Sequence, residues 1–429
     1  MKTKIAINGF GRIGRNAFKI AFERPDLEIV AVNDLTDTKT LAHLLKHDSN
    51  YGTYQHDVAF DDQNIKVNGQ NIRVLAEKDP AQLPWGDLGV DVVIESTGFF
   101  THHDDLKKHI QAGAKKVILS APEKDDNDHD TFVIGVNEQS MTADHQVFSN
   151  ASCTTNCITP VAAVIESNFG IEKALMTTVH SYTASQRLQD APAKDLREAR
   201  SAAENIVPTS TGASIAAAKA LPALEGIFGG LSVRVPTPVV SLSDFAIVTK
   251  RAVTVDEVNA AFKKAAADPY FQGILDVTED ELVSSDFVGN SHSAIVDLSL
   301  TNVVGGNLLK VVAWYDNEWG YSNRLVELTA DAGKLINGDN MPSPPNPAQS
   351  STPSQPHEEL LESPSLDDAL PAPEPLGQMP QPTPEHFAAV EHQPVEGVPP
   401  PDGPAQTQPI QPPPAIFPDS AGPDHPHNF

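Results

Sequence analysis

A glycine-rich turn between a strand and a helix is the feature that most constrains how this chain folds. Residues 4–8 form a short apolar run, and Gly9, Gly11 and Gly14 follow in the pattern Gly-x-Gly-x-x-Gly before a segment with helical apolar spacing. A second apolar strand then ends at Asp34, 20 residues past Gly14. Strand, glycine turn, helix, strand and acid in this order are typical of a βαβ unit that binds a dinucleotide.

The three glycines and the acid have separate tasks in such a unit. Gly9 allows the tight turn, Gly11 lets the backbone approach a pyrophosphate, and Gly14 lets the helix pack on the sheet. The helix N-terminus then faces the phosphates. Asp34 would accept hydrogen bonds from a ribose diol and repel a 2′-phosphate, which favours NAD over NADP. The alternative is a strand-to-helix turn without a ligand, which the full pattern disfavours.

Further buried strands follow along the chain. Residues 91–95 and 117–119 are continuous apolar runs, as expected for buried parallel strands, and each ends in a polar turn. Polar and apolar residues alternate over 63–76 around a turn at Asn68, which predicts a hairpin. Residues 1–152 are therefore predicted to form a doubly wound α/β domain, with ligands at the carboxyl ends of its strands.

A second motif, Asn-Ala-Ser-Cys-Thr-Thr-Asn-Cys at 150–157, places Cys153 where a polar turn opens a helix. Unpaired backbone N–H groups and the helix dipole are expected to lower the pKa of a thiol there. Cys157 is predicted to be buried one turn further on. Most free cysteines are small buried hydrophobes, but the hydroxyl-rich flank favours an activated nucleophile. His180, at the end of a strand candidate, is the candidate base, and a structural histidine is the alternative.

Composition narrows the class of protein. A chain of 429 residues exceeds one typical core, so two domains and an appendage are expected. The net charge of −27 argues against nucleic acid and anionic membranes as partners. The two cysteines lie four residues apart, which suits neither a disulfide nor a zinc site, so no metal is predicted. Together with the lack of a signal peptide or a long apolar span, this favours a cytoplasmic location.

Beyond Cys157 the sequence pattern changes. Strand candidates at 239–250, 294–301 and 308–315 are long and alternate with helices. This pattern predicts a second domain over residues 153–316, an α+β catalytic domain with a mainly antiparallel sheet. The helix predicted over 317–336 is expected to complete the first domain.

The C-terminal part of the chain differs from the rest. No Lys or Arg follows Lys334, and 25 of the 36 prolines lie between residues 342 and 426. Residues 340–429 also carry 12 acidic side chains. Such a segment buries too little apolar surface to offset its chain entropy, so a disordered, extended tail is predicted. It is either a solubilising appendage or the docking segment for an unknown protein partner.

Six motifs stand in one order across residues 1 to about 336. They are Asn-Gly-Phe-Gly-Arg-Ile-Gly-Arg at 8–15, Ala-Ser-Cys-Thr-Thr-Asn-Cys at 151–157, Thr-Val-His-Ser-Tyr-Thr at 178–183, Thr-Ser-Thr-Gly-Ala at 209–213, Val-Arg-Val-Pro-Thr-Pro at 233–238 and Trp-Tyr-Asp-Asn-Glu-Trp-Gly-Tyr-Ser at 314–322. In this order and spacing the chain resembles the type I phosphorylating glyceraldehyde-3-phosphate dehydrogenases. The resemblance implies a Rossmann-type NAD-binding domain, NAD as the cofactor, and a homotetramer with the 181–204 loop at a subunit interface.

The resemblance also implies a reaction, the oxidation of D-glyceraldehyde 3-phosphate to 1,3-bisphosphoglycerate with inorganic phosphate. Cys153 would form a thiohemiacetal and then a thioester, while His180 takes the hydroxyl proton. The implied cofactor contacts are Gly9, Gly11, Arg12, Ile13, Gly14, Asp34, Lys78, Thr97, Gly98, Ser120 and Asn317. The implied contacts to the substrate and free phosphates are Ser152, Thr154, Thr183, Arg197, Thr211, Gly212 and Arg234.

Two departures from the family pattern leave alternatives open. Many members carry two adjacent arginines where this chain has Arg197 and Glu198. Glu198 would repel phosphate unless it points away, so either Arg197 substitutes or phosphate binds less tightly. Ala191 and Pro192 occupy the loop expected near a neighbour's cofactor, and Pro192 resembles NAD-preferring members. The alternative functions are a hydrolytic erythrose-4-phosphate dehydrogenase and, in another class, an interaction role through the tail.

Overall fold

Two large sheets divide the part of the chain that the computed structural model describes, residues 2–125 and 130–339. The strands and helices of the first half are β1 (Thr3–Asn8), α1 (Arg12–Phe22), β2 (Leu27–Asn33), α2 (Thr38–Lys46), β3 (His47–Asp48), β4 (Gly52–Thr53), β5 (Val58–Phe60), β6 (Asn64–Val67), β7 (Gln70–Leu75), α3 (Trp85–Leu88), β8 (Val92–Glu95), α4 (His103–Gln111), β9 (Lys116–Leu119) and β10 (Val147–Ser149).

The first sheet confirms the predicted doubly wound α/β architecture. Its strand order is β10-β9-β8-β1-β2-β7-β6-β5. The six strands from β10 to β7 are parallel, and β6 and β5 extend the edge as an antiparallel meander. All four residues of β8 and of β9 are buried, which explains why both strands are continuous apolar runs in the sequence.

The predicted hairpin is confirmed as the pair β6 and β7. Its two-residue loop consists of Asn68 with φ 49° and Gly69 with φ 81°. Two consecutive residues with positive φ define a type I′ turn, whose twist matches that of the flanking strands. Asn and Gly are the residues that adopt this backbone at least cost, so the turn could be predicted from the sequence alone.

The second half of the described chain contains a mixed sheet and the helices that cover it. Its elements are α5 (Cys153–Phe169), β11 (Ile171–Ser181), β12 (Val207–Thr209), α6 (Ala213–Ala220), β13 (Phe228–Val235), β14 (Ser241–Thr249), α7 (Val255–Ala266), β15 (Leu275–Thr278), β16 (Ala294–Asp297), β17 (Asn302–Val304), β18 (Leu308–Tyr315) and α8 (Trp319–Ile336).

The order of the second sheet is β12-β13-β11-β14-β18-β16-β15, with β17 also paired to β18. Two of its pairs, β11 with β13 and β15 with β16, are parallel and the others are antiparallel, which confirms a mainly antiparallel α+β domain. The strand predicted over 294–301 is wrong in length. The strand ends at Asp297, where a 3-10 turn over Leu298–Leu300 begins.

The last helix, α8, packs against the first sheet, although it follows the last strand of the second sheet in the chain. It contacts α1 and the strands β1, β8 and β9. Tyr321, Leu325 and Leu328 join the same hydrophobic core as Phe10 and Phe18. At Gly333 the helix lies directly against the side chain of Thr3. The chain therefore returns to its first strand after building the second sheet.

Two sequence predictions concern membrane spans and the tail. Within residues 2–125 and 130–339, no helix is both long enough and apolar enough to cross a membrane. The predicted disordered tail, residues 340–429, lies outside the described residues.

The close contact at Gly14 gives a testable prediction about stability. A β-carbon at Gly14 would lie 2.1 Å from the carbonyl oxygen of Gly9, so α1 would have to move off the turn. We expect Gly14→Ala to lower the free energy of unfolding by about 1–3 kcal/mol in a urea titration. Gly11→Ala is the matched control, because a β-carbon there meets nothing within 4 Å. Equal losses in both variants would contradict a packing role for Gly14.

Candidate active site

The start of α5 presents the thiol of Cys153. Ser152 caps this helix, and its Oγ accepts a hydrogen bond from the backbone N–H of Thr155 at 3.0 Å. The residue before the cap, Ala151, has φ 55°, a left-handed conformation that costs an L-residue about 1–2 kcal/mol. The hydroxyl of Tyr321 donates to the carbonyl of Ala151 at 2.9 Å and holds this turn. The predicted position of Cys153 at a helix start is confirmed.

His180 faces the thiol from the end of β11. Its Nε2 lies 3.4 Å from Sγ of Cys153, and its Nδ1 lies 2.7 Å from the carbonyl oxygen of Ser181. A carbonyl only accepts, so Nδ1 carries the proton and the lone pair of the neutral imidazole is on Nε2. That lone pair is directed at the thiol, while Cys153 is partly exposed and His180 is buried. The pair thus has the geometry of a nucleophile and its base.

Arg234 supplies a positive charge beside this pair. Strands β11 and β13 run parallel, with His180 opposite Arg234 in the register. Nη1 of Arg234 donates to the carbonyl oxygen of Ser181 at 3.5 Å, whereas its Nε is buried with no protein partner. A buried donor without a partner is costly, so it marks a place where a ligand with acceptor oxygens would be stabilised.

The electrostatics correct one sequence prediction. Burial raises the pKa of the Cys153 thiol, and the charge of Arg234 and the local hydrogen bonds offset this only in part. Burial, and then the charge of Arg234, lower the pKa of His180 to about 3. The expected lowering of the thiol pKa by the helix start is therefore wrong for this structure, because desolvation outweighs it.

Sequence reasoning missed Tyr315, the last residue of β18. Its hydroxyl lies 3.0 Å from Oγ1 of Thr154 and 2.8 Å from Oγ1 of Thr178, and its ring packs edge-on against His180. Thr154, which the resemblance implied as a phosphate contact, therefore has its hydroxyl buried against Tyr315. The apolar alternation of the strand predicts burial of Tyr315 but gives no sign of these partners.

The glycine turn and Asp34 lie together at the carboxyl end of the first sheet. Gly9 has φ 91°, and a β-carbon there would be 2.5 Å from the backbone nitrogen of Thr97. The carboxylate of Asp34 accepts hydrogen bonds from the backbone N–H of Phe10 at 2.9 Å and of Thr36 at 3.0 Å. Asp34 therefore also braces the turn that precedes α1. Open space at Gly11 leaves room for a ligand against the backbone.

Arg12, the first residue of α1, is turned toward the second half of the chain. Its guanidinium forms ion pairs with Glu318 at 2.5 Å and with Asp48 at 2.8 Å. Neither partner was found from the sequence, because both are far from Arg12 along the chain. The backbone N–H groups of Arg12 and Ile13 are among the first of the helix and are the groups suited to a phosphate.

The remaining cofactor-contact candidates lie around the same region of the first sheet or at the start of α8. Oδ1 of Asn317 accepts hydrogen bonds from the hydroxyls of Ser181 at 3.0 Å and Ser241 at 3.1 Å, which directs its amide nitrogen away from both. Ser120 follows β9, and its backbone N–H donates to the carbonyl of Glu95. Lys78, Thr97 and Gly98 are at least partly exposed on the loops after β7 and β8.

The residues predicted to contact phosphate differ in which groups surround them. Arg234 lies directly beside the catalytic candidates, whereas Thr183 has its hydroxyl 3.0 Å from that of Ser185. Thr211 accepts a hydrogen bond from the backbone N–H of Ala213, and Gly212 is the N-cap residue of α6. The side chain of Arg197 is exposed, and its backbone N–H donates to Asp195.

The sequence left open whether the side chain of Glu198 points toward the predicted phosphate site or away from it. Its Oε1 accepts a hydrogen bond from the hydroxyl of Thr209 at 3.2 Å. Thr209 ends β12, two residues before Thr211. The carboxylate is therefore turned toward the hydroxyl-rich turn and not away from it.

A dinucleotide-type turn at one sheet edge and a cysteine–histidine pair at a helix start are the features of a two-domain dinucleotide-binding protein with a candidate cysteine nucleophile. The NAD binding domain of glyceraldehyde 3-phosphate dehydrogenase matches residues 3–103, and the C-terminal domain of the same family matches residues 152–317. The chain belongs to the glyceraldehyde-3-phosphate dehydrogenase family.

Similar proteins match along nearly their whole length. The glyceraldehyde-3-phosphate dehydrogenase of Streptomyces coelicolor is 56% identical over 338 residues, which is 78% of this chain and 100% of that protein. The Geobacillus stearothermophilus enzyme of that name is 54% identical over 331 residues, covering 77% of this chain and 98% of its own. Glyceraldehyde-3-phosphate dehydrogenase 1 of Bacillus subtilis is 53% identical over 335 residues, or 78% and 99%.

The geometry of the pair predicts how the thiols react. Iodoacetamide should label Cys153 and spare Cys157, whose side chain is fully buried. His180→Asn keeps a donor for the Ser181 carbonyl but removes the acceptor for the thiol proton. Because burial already raises the pKa of Cys153, we expect labelling at neutral pH to slow by about tenfold or more. The labelling rate of the variant should then continue to rise with pH through the alkaline range.

Mass spectrometry of the labelled protein locates the adduct. Cys153→Ser should abolish labelling, and Cys157→Ser should leave its rate unchanged. A His180→Asn variant that is labelled as fast as the unmodified protein at neutral pH would show that Nε2 does not serve the thiol.

Proposed function

We propose that this chain catalyses the NAD-dependent oxidative phosphorylation of D-glyceraldehyde 3-phosphate to 1,3-bisphosphoglycerate in glycolysis. The observation that carries the proposal is the 3.4 Å contact between Sγ of Cys153 and the lone-pair nitrogen of His180, beside the unpartnered Nε of Arg234. Membership of the glyceraldehyde-3-phosphate dehydrogenase family supports the substrate, the reaction and NAD as the cofactor.

The chain's own residues fit NAD at the edge of the first sheet. The backbone at Gly11 borders open space, with nothing within 4 Å of a β-carbon there, and the first N–H groups of α1 lie beside it. Asp34 suits a ribose diol, and the amide nitrogen of Asn317 is directed away from its two serine partners. When bound, NAD supplies the acceptor for the hydride that leaves the substrate carbon.

Nε2 of His180 accepts or donates a proton in each chemical step. The thiol of Cys153 gives its proton to Nε2 as sulfur attacks the aldehyde carbon, and Nε2 returns it to the new oxyanion to give a thiohemiacetal. Nε2 then takes the hydroxyl proton as hydride leaves that carbon, which leaves a thioester on Cys153. Attack by inorganic phosphate breaks the carbon–sulfur bond and releases the acyl phosphate, and the proton held on Nε2 returns to the departing sulfur of Cys153. The hydrogen bond from Nδ1 to Ser181 holds the required tautomer throughout.

The two phosphates need separate donors. Arg234 is positioned for one of them, since it lies opposite His180 in the sheet and its buried Nε has no protein partner. The turn at Thr211 and Gly212 opens α6 and offers backbone N–H groups at a helix N-terminus for an anion. Ser152, Thr183 and the backbone of Thr154 complete the set that we assign to phosphate binding.

We propose that the carboxylate of Glu198 weakens the binding of phosphate. Its carboxylate accepts from Thr209, which lies next to the Thr211 turn, whereas Arg197 is exposed and bound through its backbone to Asp195. A negative charge turned toward an anion site opposes the anion, although solvent screens part of this effect. The contacts of Arg197 therefore do not indicate that it takes the place of the second arginine as a phosphate ligand.

We further propose a homotetramer in the cytoplasm. The 181–204 loop and the residues after it expose large apolar side chains, with Leu188, Leu196 and Ile206 each more than 70% exposed. Leu175 and Leu308, which are 67% and 44% exposed, lie on one face of the second sheet. Exposed large apolar side chains of this kind favour burial against another copy. Light scattering should give four times the chain mass, and a monomer mass would refute the assembly.

The reaction itself is tested by following NADH formation from glyceraldehyde 3-phosphate and NAD. We expect steady turnover that requires inorganic phosphate or arsenate. Cys153→Ser should abolish it, because no thiohemiacetal can form. His180→Asn should lower kcat by about 100- to 10,000-fold, the usual contribution of a general base. A single burst that phosphate does not extend would mean that the thioester forms but is not released.

Steady turnover without the anion would contradict the phosphorylating reaction and favour hydrolysis, with erythrose 4-phosphate as the next substrate to test. The same assay tests Glu198. We expect Glu198→Gln to lower the KM for phosphate by about two- to fivefold, as for removal of a partly screened charge. Glu204→Gln, which changes an exposed carboxylate of the same segment, should leave that KM unchanged.

A further inference from the structure

Three buried polar residues end neighbouring strands of the first sheet. Asn33, Asn8 and Glu95 close β2, β1 and β8, and they are register partners across these strands. At most 5% of each is exposed, and the chemistry of Cys153 uses none of them. Buried polar groups are costly unless they are hydrogen-bonded, so their bonds indicate what they position.

The carboxylate of Glu95 is the centre of this group. Oε1 accepts from both the backbone N–H of Thr97 at 2.8 Å and its hydroxyl at 2.5 Å. Oε2 accepts from the side-chain amide of Asn8 at 2.5 Å and faces Nε2 of His109 at 3.1 Å. Both oxygens therefore act as acceptors for two groups each, and Thr97 is held through two of its atoms.

The orientation of His109 is set by Trp85. The indole N–H of Trp85 lies 2.9 Å from Nδ1 of His109, and both side chains are fully buried. An indole nitrogen only donates, so Nδ1 accepts and the proton of the neutral imidazole is on Nε2. That proton is directed at Glu95. Because the indole N–H of Trp85 can only donate, it determines that Nε2 of His109 is the donor that faces Glu95.

The orientation at the other end is set by the main chain. Oδ1 of Asn33 accepts from the backbone N–H of Glu77, and its Nδ2 donates to the carbonyl of Glu77 and to Oδ1 of Asn8. Nδ2 of Asn8 must then face Glu95. The orientations of Asn33, Asn8 and His109 are thus determined by the backbone of Glu77 and the indole of Trp85. We call Asn33, Asn8, Glu95, His109 and Trp85 the edge array.

We propose that the edge array positions the two loops that receive the cofactor, Thr97–Gly98 and Glu77–Lys78, and so sets the affinity for NAD. This inference rests on the proposed function, which assigns Thr97, Gly98 and Lys78 to the cofactor site. Glu95 and His109 are fully buried, so they act through these loops and do not touch the ligand. Gly9 lies against the backbone of Thr97, so the same carboxylate also supports the glycine turn.

The test replaces the acceptor at the centre with an isosteric donor. Glu95→Gln turns an amide N–H₂ toward Asn8 and His109, both of which already donate. We expect the NAD dissociation constant of the full chain, measured by calorimetry, to rise by about tenfold. The KM for NAD should rise in parallel, while kcat and the KM for phosphate stay within about twofold because the pair of Cys153 and His180 is untouched.

A control and a rescue separate positioning from general damage. Glu138→Gln makes the same change in a buried carboxylate that binds the backbone of Gly135 and Val136, and it should leave NAD binding unchanged. Adding Asn8→Asp to Glu95→Gln restores an acceptor for the new amide and for Asn33. The N–H of His109 still meets that amide, so this double variant should recover part of the lost NAD affinity, about threefold relative to Glu95→Gln alone.

If Glu95→Gln does not fold, Asn33→Asp replaces a donor of the edge array without a change in size and should weaken NAD binding in the same way. Unchanged NAD affinity in a folded Glu95→Gln variant would refute the proposal, as would equal loss in Glu138→Gln. Calorimetry separates this inference from the reaction. Absence of turnover in the unmodified chain would refute the proposed function, while the NAD affinities of the variants would still decide the role of the array.

Discussion

A single hydrogen bond, from Nδ1 of His180 to the carbonyl of Ser181, decides what the site can do. It places the proton of the imidazole on the side away from the thiol and leaves the lone pair facing Cys153. The carbonyl is itself fixed by the parallel pairing of β11 with β13, which also places Arg234 opposite His180. The second sheet therefore determines the tautomer of the base and the position of the nearest cation together.

The same principle operates in the first sheet. There the backbone of Glu77 and the indole of Trp85 fix the two side-chain donors, Asn8 and His109, that face Oε2 of Glu95. In both places a group with only one hydrogen-bonding role determines the orientation of side chains that have two. This matters because a buried polar side chain in the wrong orientation loses its bonds and keeps its desolvation cost.

Local features of the chain were predictable, and contacts between distant segments were not. The helix start at Cys153 and the Asn68 turn follow from residues that are neighbours in sequence. The pKa of Cys153 was predicted in the wrong direction, because the helix dipole is visible in the sequence whereas the extent of burial is not. The contacts of Tyr315 depend on strands paired across long separations, and the orientation of Glu198 depends on where its loop meets β12.

The sequence by itself determined the glycine turn, the alternation of strands and helices, and the choice of candidate reactive residues, since these depend on backbone preference and side-chain chemistry. Only the tertiary structure decided that Sγ of Cys153 lies 3.4 Å from Nε2 of His180, and that Arg12 pairs with Glu318 across the chain. Such distances arise from how two sheets and the returning helix α8 pack together. The balance between burial and charge at each group is set by that packing, not by its neighbours in sequence.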